Sequence, residues 1–335
     1  MSDAQPQDRT DAEKITPPPP GAPDPLGRGA RDPTQIPLRG WWAVIRRVAR
    51  EAISDRISLV AAGCAFYAML ALFPALTMLI FIYGLAFDVA TVEPQLYLIR
   101  QFLPEPAYEL ISERIHQLVT NRTGSLQIGL AISLFITVWS SMSGTKAMLS
   151  ALNLAYEETE KRSFLRFNLT AFGITLGAVL ASVVGLSAVV ALPAVLAVLG
   201  VPDADRRWFR TIALLALFVF VMVALAVLYR FGPSRRAARW HWVTVGSVFA
   251  AVGWAAASWL FSLYVSEIGG YDVTYGPLGA VVGLMMWFWV SVFVILIGAE
   301  LNAELEMQTT RDTTDPPDAP MGRRGAYVAD NVATE

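Results

Sequence analysis

The sequence predicts an all-α integral membrane protein. It reads as a bundle of six transmembrane helices with an N-terminal interfacial amphipathic helix and short extracytoplasmic helices between spans one and two. Three observations predict this class. Of 335 residues, 55% are hydrophobic and only 16% charged, against about 25% charged in soluble domains. Apolar runs long enough to cross a bilayer recur along the chain. Lys and Arg concentrate in alternate connections between those runs.

Residues 1–39 come first, with a "PPPP" run, a polar make-up and no apolar h-region. They are expected to form a disordered tail, and so is the polar stretch 307–335. The segment "GWWAVIRRVAREAISDR" follows. On a helix, Trp41, Trp42, Ile45, Val48, Ala49, Ala52 and Ile53 fall on one face, and Arg46, Arg47, Arg50 and Asp55 on the other. That pattern suits a helix lying on anionic lipid.

The six-span domain, residues 40–306, then unfolds in order. Leu59–Phe87 is the first span, with Pro74 as a candidate kink. Glu93–Arg122 holds amphipathic patterns read as short outer helices. Leu126–Trp139 is the second span, extending to Met148 if Lys146 snorkels. Leu169–Gly200, Thr211–Tyr229, Trp242–Val265 and Pro277–Ala299 are the third to sixth. Small residues spaced by four mark expected packing seams: Gly129, Ser133, Thr137 and Ser141; Gly173, Gly177, Ala181 and Gly185; Gly246, Ala250, Gly253 and Ala257; and Gly279 with Gly283. A homo-oligomer through such faces is one use for them.

Arg46, Arg47, Arg50 and Arg56 precede span one; Lys146, Lys161, Arg162 and Arg166 lie between two and three; Arg230, Arg235, Arg236 and Arg239 lie between four and five. "SEIGGYDVTYG", after span five, has no Lys or Arg. The positive-inside rule therefore puts both termini in the cytosol. Arg206, Arg207 and Arg210 sit on the outer side against that trend.

Several function classes find no support. The net charge of −2, with one Cys and two His, offers neither a basic nucleic-acid surface nor the ligands of a zinc site. No Walker, dinucleotide-binding, zinc-protease or nucleophile-elbow motif occurs. No cofactor, metal or catalytic residue is expected. The spans hold no Asp, Glu, Lys or Arg until their ends, which argues against a carboxylate-driven proton path.

The run "YEETEKR" after span two raises the question of a metal centre. On a continuing helix Glu157 would reach Lys161 and Glu158 would reach Arg162, in the favourable i,i+4 order. That makes the run a solvated, salt-paired rim, and Glu300 with Glu304 the wet end of span six. Asn153 and Tyr156, polar groups at the helix–lipid boundary, Arg162 beside them and Glu300 are the candidate contacts for a substrate headgroup.

Three blocks resemble one family. "AAGCAFYAMLALFPALTMLI", "WSSMSGTKAMLSALNLAYEETEKRSFLRFNLTAFGITLG" and "YGPLGAVVGLMMWFWVSVFVILIGAELNAELE" occur in that order, and together they resemble the YihY/BrkB family of bacterial inner-membrane proteins across residues 40–306. The resemblance implies a six-span membrane protein without an agreed activity. Members formerly carried the label ribonuclease BN, which these residues do not support. The expected role is a transporter or flippase-like protein for a lipid or amphiphile, with membrane lipids and no nucleic acid as partners. The alternatives are a scaffold for envelope integrity without a substrate and, behind it, the older nuclease reading.

Overall fold

The computed structural model describes residues 24–86, 125–186, 203–267 and 277–333. The expected outer helices of 93–122, the Pro193 end of span three and the first part of the N-terminal tail lie outside these residues. Among the described residues every regular element is helical: a 3-10 turn Pro33–Gln35, then α1 (Leu38–Ser54), α2 (Ile57–Ala86), α3 (Ser125–Ala155), α4 (Phe164–Leu186), α5 (Asp203–Phe231), α6 (Trp240–Glu267), α7 (Pro277–Met307) and the short α8 (Tyr327–Asp330).

Helices α2 to α7 each cover one expected span. Among the described residues four windows are long and apolar enough to cross a membrane: Phe164–Ala181, Leu214–Phe231, Trp240–Tyr264 and Val281–Met307. A fifth joins Leu38–Ser54 to Ile57–Leu72, which meet at a 61° bend. Arg56 makes that bend with φ 52°.

The chain divides into two compact units. One is Met1–Gly63, Leu149–Ser163 and Leu215–Glu335; the other is Cys64–Met148 and Phe164–Leu214. Within the second, a Cβ on Gly144 would lie 3.4 Å from the Ala68 backbone, so α2 and α3 run in close contact there. The Thr145 and Thr175 hydroxyls, 2.7 Å apart, tie α3 to α4. Among the described residues nothing lies within 4 Å of a Cβ at Gly173 or Gly177, so no described helix packs closely on them.

Within the first unit, α6 and α7 pack antiparallel along a seam of small residues. A Cβ on Gly246 would come within 2.1 Å of the Gly298 carbonyl, and one on Gly253 within 3.0 Å of Val294. Trp254 Nε1 donates to Ser291 Oγ at 3.0 Å, and Trp287 Nε1 to Ser258 Oγ at 3.3 Å. The expected seam at Gly246, Ala250 and Gly253 is therefore real. Its partner on α7 is Gly298; a Cβ on Gly283 would meet nothing within 4 Å among the described residues.

Both expected tails prove partly built in. Ala30 and Ile36 are buried in one cluster with Val44, Val48, Trp242, Leu301 and Leu305. Residues 308–333, expected to be disordered, pack on the 232–239 connection. Thr313 and Thr314 are fully buried, and Ala238 and Thr314 form an antiparallel bridge. The correction has a physical reason. These segments have too few apolar residues for a core of their own, but they need only one supplied by α6 and α7. Their backbone is satisfied by side chains: Gln308 donates to the Leu26 carbonyl, and Arg324 to those of Arg311, Thr310 and Ala329.

Helix α1 is amphipathic, though not split as the sequence suggested. Val44, Arg47 and Val48 are buried toward α7. Leu38, Trp42, Ile45 and Ile53 form an exposed apolar stripe with Arg46 and Arg50 exposed beside it. Arg47 thus leaves the polar face and joins the core.

Candidate functional site

The candidate residues sit where α3, α5 and α7 end and their connections meet, all within the first unit. Helix α3 stops at Ala155 in a left-handed turn. Glu157 has φ 54°, its N–H donates to the Leu154 carbonyl, and the Glu158 N–H donates to that of Asn153. This is the double bond pattern that closes many helices, with Glu157 where glycine is usual. Because the helix stops here, the pairs made on the turn differ from the expected i,i+4 ones. Lys161 Nζ bonds Glu158 at 2.7 Å and Arg162 bonds Glu160 at 2.8 Å. Glu158 is buried, not solvated, and also accepts the Tyr327 N–H at 2.7 Å.

Asn153 bridges two connections. Its Oδ1 accepts the Ser234 N–H at 2.7 Å and its Nδ2 donates to Glu160 at 3.0 Å. Arg162 donates to the Gly232 carbonyl at 2.9 Å. The two candidates thus share Glu160 and hold the turn after α3 against the start of the 232–239 connection. The Arg162 guanidinium, with further N–H donors from Arg162 and Asn153, holds the Glu160 carboxyl down at about 2.

Tyr156 lies deeper. It is fully buried, with the Arg235 guanidinium stacked 4.3 Å over its ring. Arg235 pairs in two places with Glu306, at 2.7 and 3.0 Å, and both side chains are completely buried. Thr313 adds a third bond to Glu306 at 2.7 Å. Burial works against the Arg235 charge, but Glu306 outweighs it and holds the guanidinium above its ordinary range. The Tyr156 hydroxyl and Arg235 Nε, both buried, have no hydrogen-bond partner among the described residues. Asn302 is nearby, but its own bonds go to α6: Oδ1 accepts the Gly246 N–H at 2.7 Å and Nδ2 donates to the Val243 carbonyl at 3.3 Å.

Glu300 and Glu304, expected to be wet, are 2% and 3% exposed. Glu304 takes Arg47 Nε as its partner, and Arg47 also donates to Gln308 at 2.6 Å. Glu300 Oε1 has no partner among the described residues. One oxygen each of Glu51, Asp55 and Glu157 lies within 4.8 Å of the other two. Burial, then Glu157 and Glu51, push the Asp55 carboxyl up to about 6.

The four candidates thus gather around one end of the helices, with Asn153 and Arg162 spent on internal bonds. Sequence reasoning missed Arg47, Glu51, Asp55, Arg235, Asn302 and Glu306. A signal was present: Arg47, Glu51 and Asp55, like Glu300, Glu304 and Gln308, recur every four residues and mark two polar stripes on otherwise apolar helices.

Comparison with known proteins gives the family. The family model for the virulence factor BrkB matches residues 48–322. The chain belongs to the BrkB family. A ribonuclease-like protein, YfkH, of Bacillus subtilis (strain 168) is 31% identical over 269 residues, covering 76% of this chain and 92% of the relative. A UPF0761 membrane protein of Vibrio vulnificus (strain YJ016) is 26% identical over 281 residues, covering 82% and 86%. Another, of Pseudoalteromonas translucida (strain TAC 125), is 25% identical over 283 residues, covering 82% and 89%. No solved structure matches the chain. The BrkB match runs past α7 through Asp312 and Asp315, so it takes in much of the C-terminal segment that packs on the 232–239 connection.

Proposed function

We propose that this BrkB-family membrane protein handles a lipid or another amphiphile in the bacterial inner membrane, as a transporter or flippase-like protein. It crosses six times and keeps both termini in the cytosol, the side that the basic connections favour. One observation carries the reading. The Tyr156 hydroxyl and the Arg235 Nε–H are two buried donors without partners among the described residues, and the guanidinium lies 4.3 Å from the Tyr156 ring. Two such donors suit an oxygen of an anionic headgroup. The apolar chains of an amphiphile ask only for the exposed apolar flanks of the helices. The α1 stripe, with Arg46 and Arg50 beside it, offers a resting place on anionic lipid. Tyr156 is the proposed headgroup contact; Asn153 and Arg162 hold the turn that carries it.

The test is mass spectrometry of lipids retained after purification in mild detergent. One anionic class should be enriched over bulk membrane lipid, and Tyr156→Phe should reduce that enrichment severalfold. A retained profile equal to bulk lipid overturns the reading.

A scaffold role is the second reading, favoured by the pairing of Arg47 with Glu304, Arg235 with Glu306 and Arg230 with Asp315. It predicts no selective retention in either protein.

A further inference from the structure

Glu51 and Asp55 lie one helical turn apart at the end of α1, and Glu157 is in the left-handed turn that closes α3. Their three oxygens, mutually within 4.8 Å, would by themselves be an acidic cluster like many others. Glu300 sets this one apart. It is 2% exposed, and its Oε1 has no hydrogen-bond partner among the described residues.

Two contacts fix where Glu300 points. Arg47 meets Glu304, and Trp289 Nε1 donates to the Ser58 carbonyl at 3.0 Å. Between these contacts α7 runs opposite in direction to α1 and the start of α2. The turn holding Glu51 and Asp55 must then face the turn holding Glu300. Of the neighbouring acids, Asp55 acts most strongly on Glu300, followed by Glu304 on the same helix and then Glu51 and Glu157. The neighbouring cation, Arg47, is committed to Glu304 and Gln308.

A buried carboxylate oxygen without a donor is costly, and three acids of like sign beside it raise that cost. A cation among them reverses the sign of every one of these terms. We propose that Glu51, Asp55 and Glu157 bind one hard divalent cation, Mg2+, Mn2+ or Ca2+, with the buried, unpartnered Glu300 carboxylate facing that site from α7. The donors are all carboxylate oxygens, which favour such ions over zinc or copper. Calcium–oxygen bonds of about 2.3–2.6 Å put oxygens on opposite sides of one ion roughly 4.6–5.2 Å apart, which accommodates the 4.8 Å spread. Glu157 is exposed and opens the way in from solvent. A bound ion ties α1 and the turn after α3 together at one point. This inference stands on residues other than the Tyr156–Arg235 pair and does not rest on the amphiphile reading.

The test is a Mn2+ titration of the full-length protein in detergent, after chelator treatment, followed by electron paramagnetic resonance of the free ion. The expected result is one saturable Mn2+ per chain, displaced by Mg2+ or Ca2+. Glu157→Gln should weaken it about tenfold or more, and Glu300→Gln, which removes a buried negative charge facing the site, should also weaken it severalfold. If Glu300→Gln fails to fold, Glu157→Gln decides, because its side chain is exposed. No saturable binding to the unaltered protein overturns the proposal, and so does equal binding by Glu157→Gln.

Discussion

Arg235 and Glu306 form an ion pair with no exposed side-chain surface. Removing one partner of such a pair strands a charge in the interior. Arg235→Met should therefore cost about 3–5 kcal/mol, read as the loss of unfolding free energy in detergent. Glu160 is the opposite case, half-open and held at about 2 by Arg162. A carboxyl whose pKa is lowered by folding stabilises above its ordinary value near 4.5. That contribution fades as pH falls from there toward 2. Thermal unfolding should show Glu160→Gln less stable than the parent at pH 6, with the gap narrowing below about pH 4.5 and closing only toward pH 2. A gap that widens on acidification contradicts the pairing. None of these partners was visible in sequence. "YEETEKR" announced charge, but which acid met which base depended on a helix ending one residue before the run begins.

Elements carry a second group of consequences. The α6–α7 seam leaves no room at Gly246, where a Cβ would sit 2.1 Å from the Gly298 carbonyl. Gly246→Ala should force the helices apart at about 2 kcal/mol or more, while Gly283→Ala, with nothing within 4 Å among the described residues, should be neutral in the same unfolding measurement. Glu157 holds a left-handed conformation at φ 54° that glycine adopts without strain. Glu157→Gly, measured in chelator, should gain about 1 kcal/mol. The helices themselves were legible because a span declares itself by length and hydropathy alone. The seam on α6 was legible because small residues recur every four positions. Its α7 partner was not, since Gly298 stands within "GAELN", where the charges drew the eye. The faces of α1 were misassigned for a related reason. Arg47 looks like surface until Glu304 and Gln308, far along the chain, supply its partners.

Over the whole molecule, the main departure from expectation is at the two chain ends. Composition marked residues 24–37 and 308–333 as unable to fold alone. It could not reveal that the α6–α7 end offers Trp242 and Leu305 as a floor for Ala30 and Ile36. Nor could it reveal that Arg230 and Arg239 await Asp315 and Asp318. A chain ending at Met307 should lose these pairs and uncover buried Glu306. It should unfold at a clearly lower temperature and yield to protease at the 232–239 connection; unchanged resistance would contradict the packing described. The amphiphile-handling role is the claim that joins residues, helices and chain ends, and movement of lipid across a bilayer tests it most directly. Proteoliposomes carrying a fluorescent anionic phospholipid, quenched from outside by dithionite, report that movement. The unaltered protein should give quenching beyond the outer leaflet's share, and Tyr156→Phe a severalfold slower phase. Quenching that stops at the outer leaflet for every anionic class tested would contradict that role.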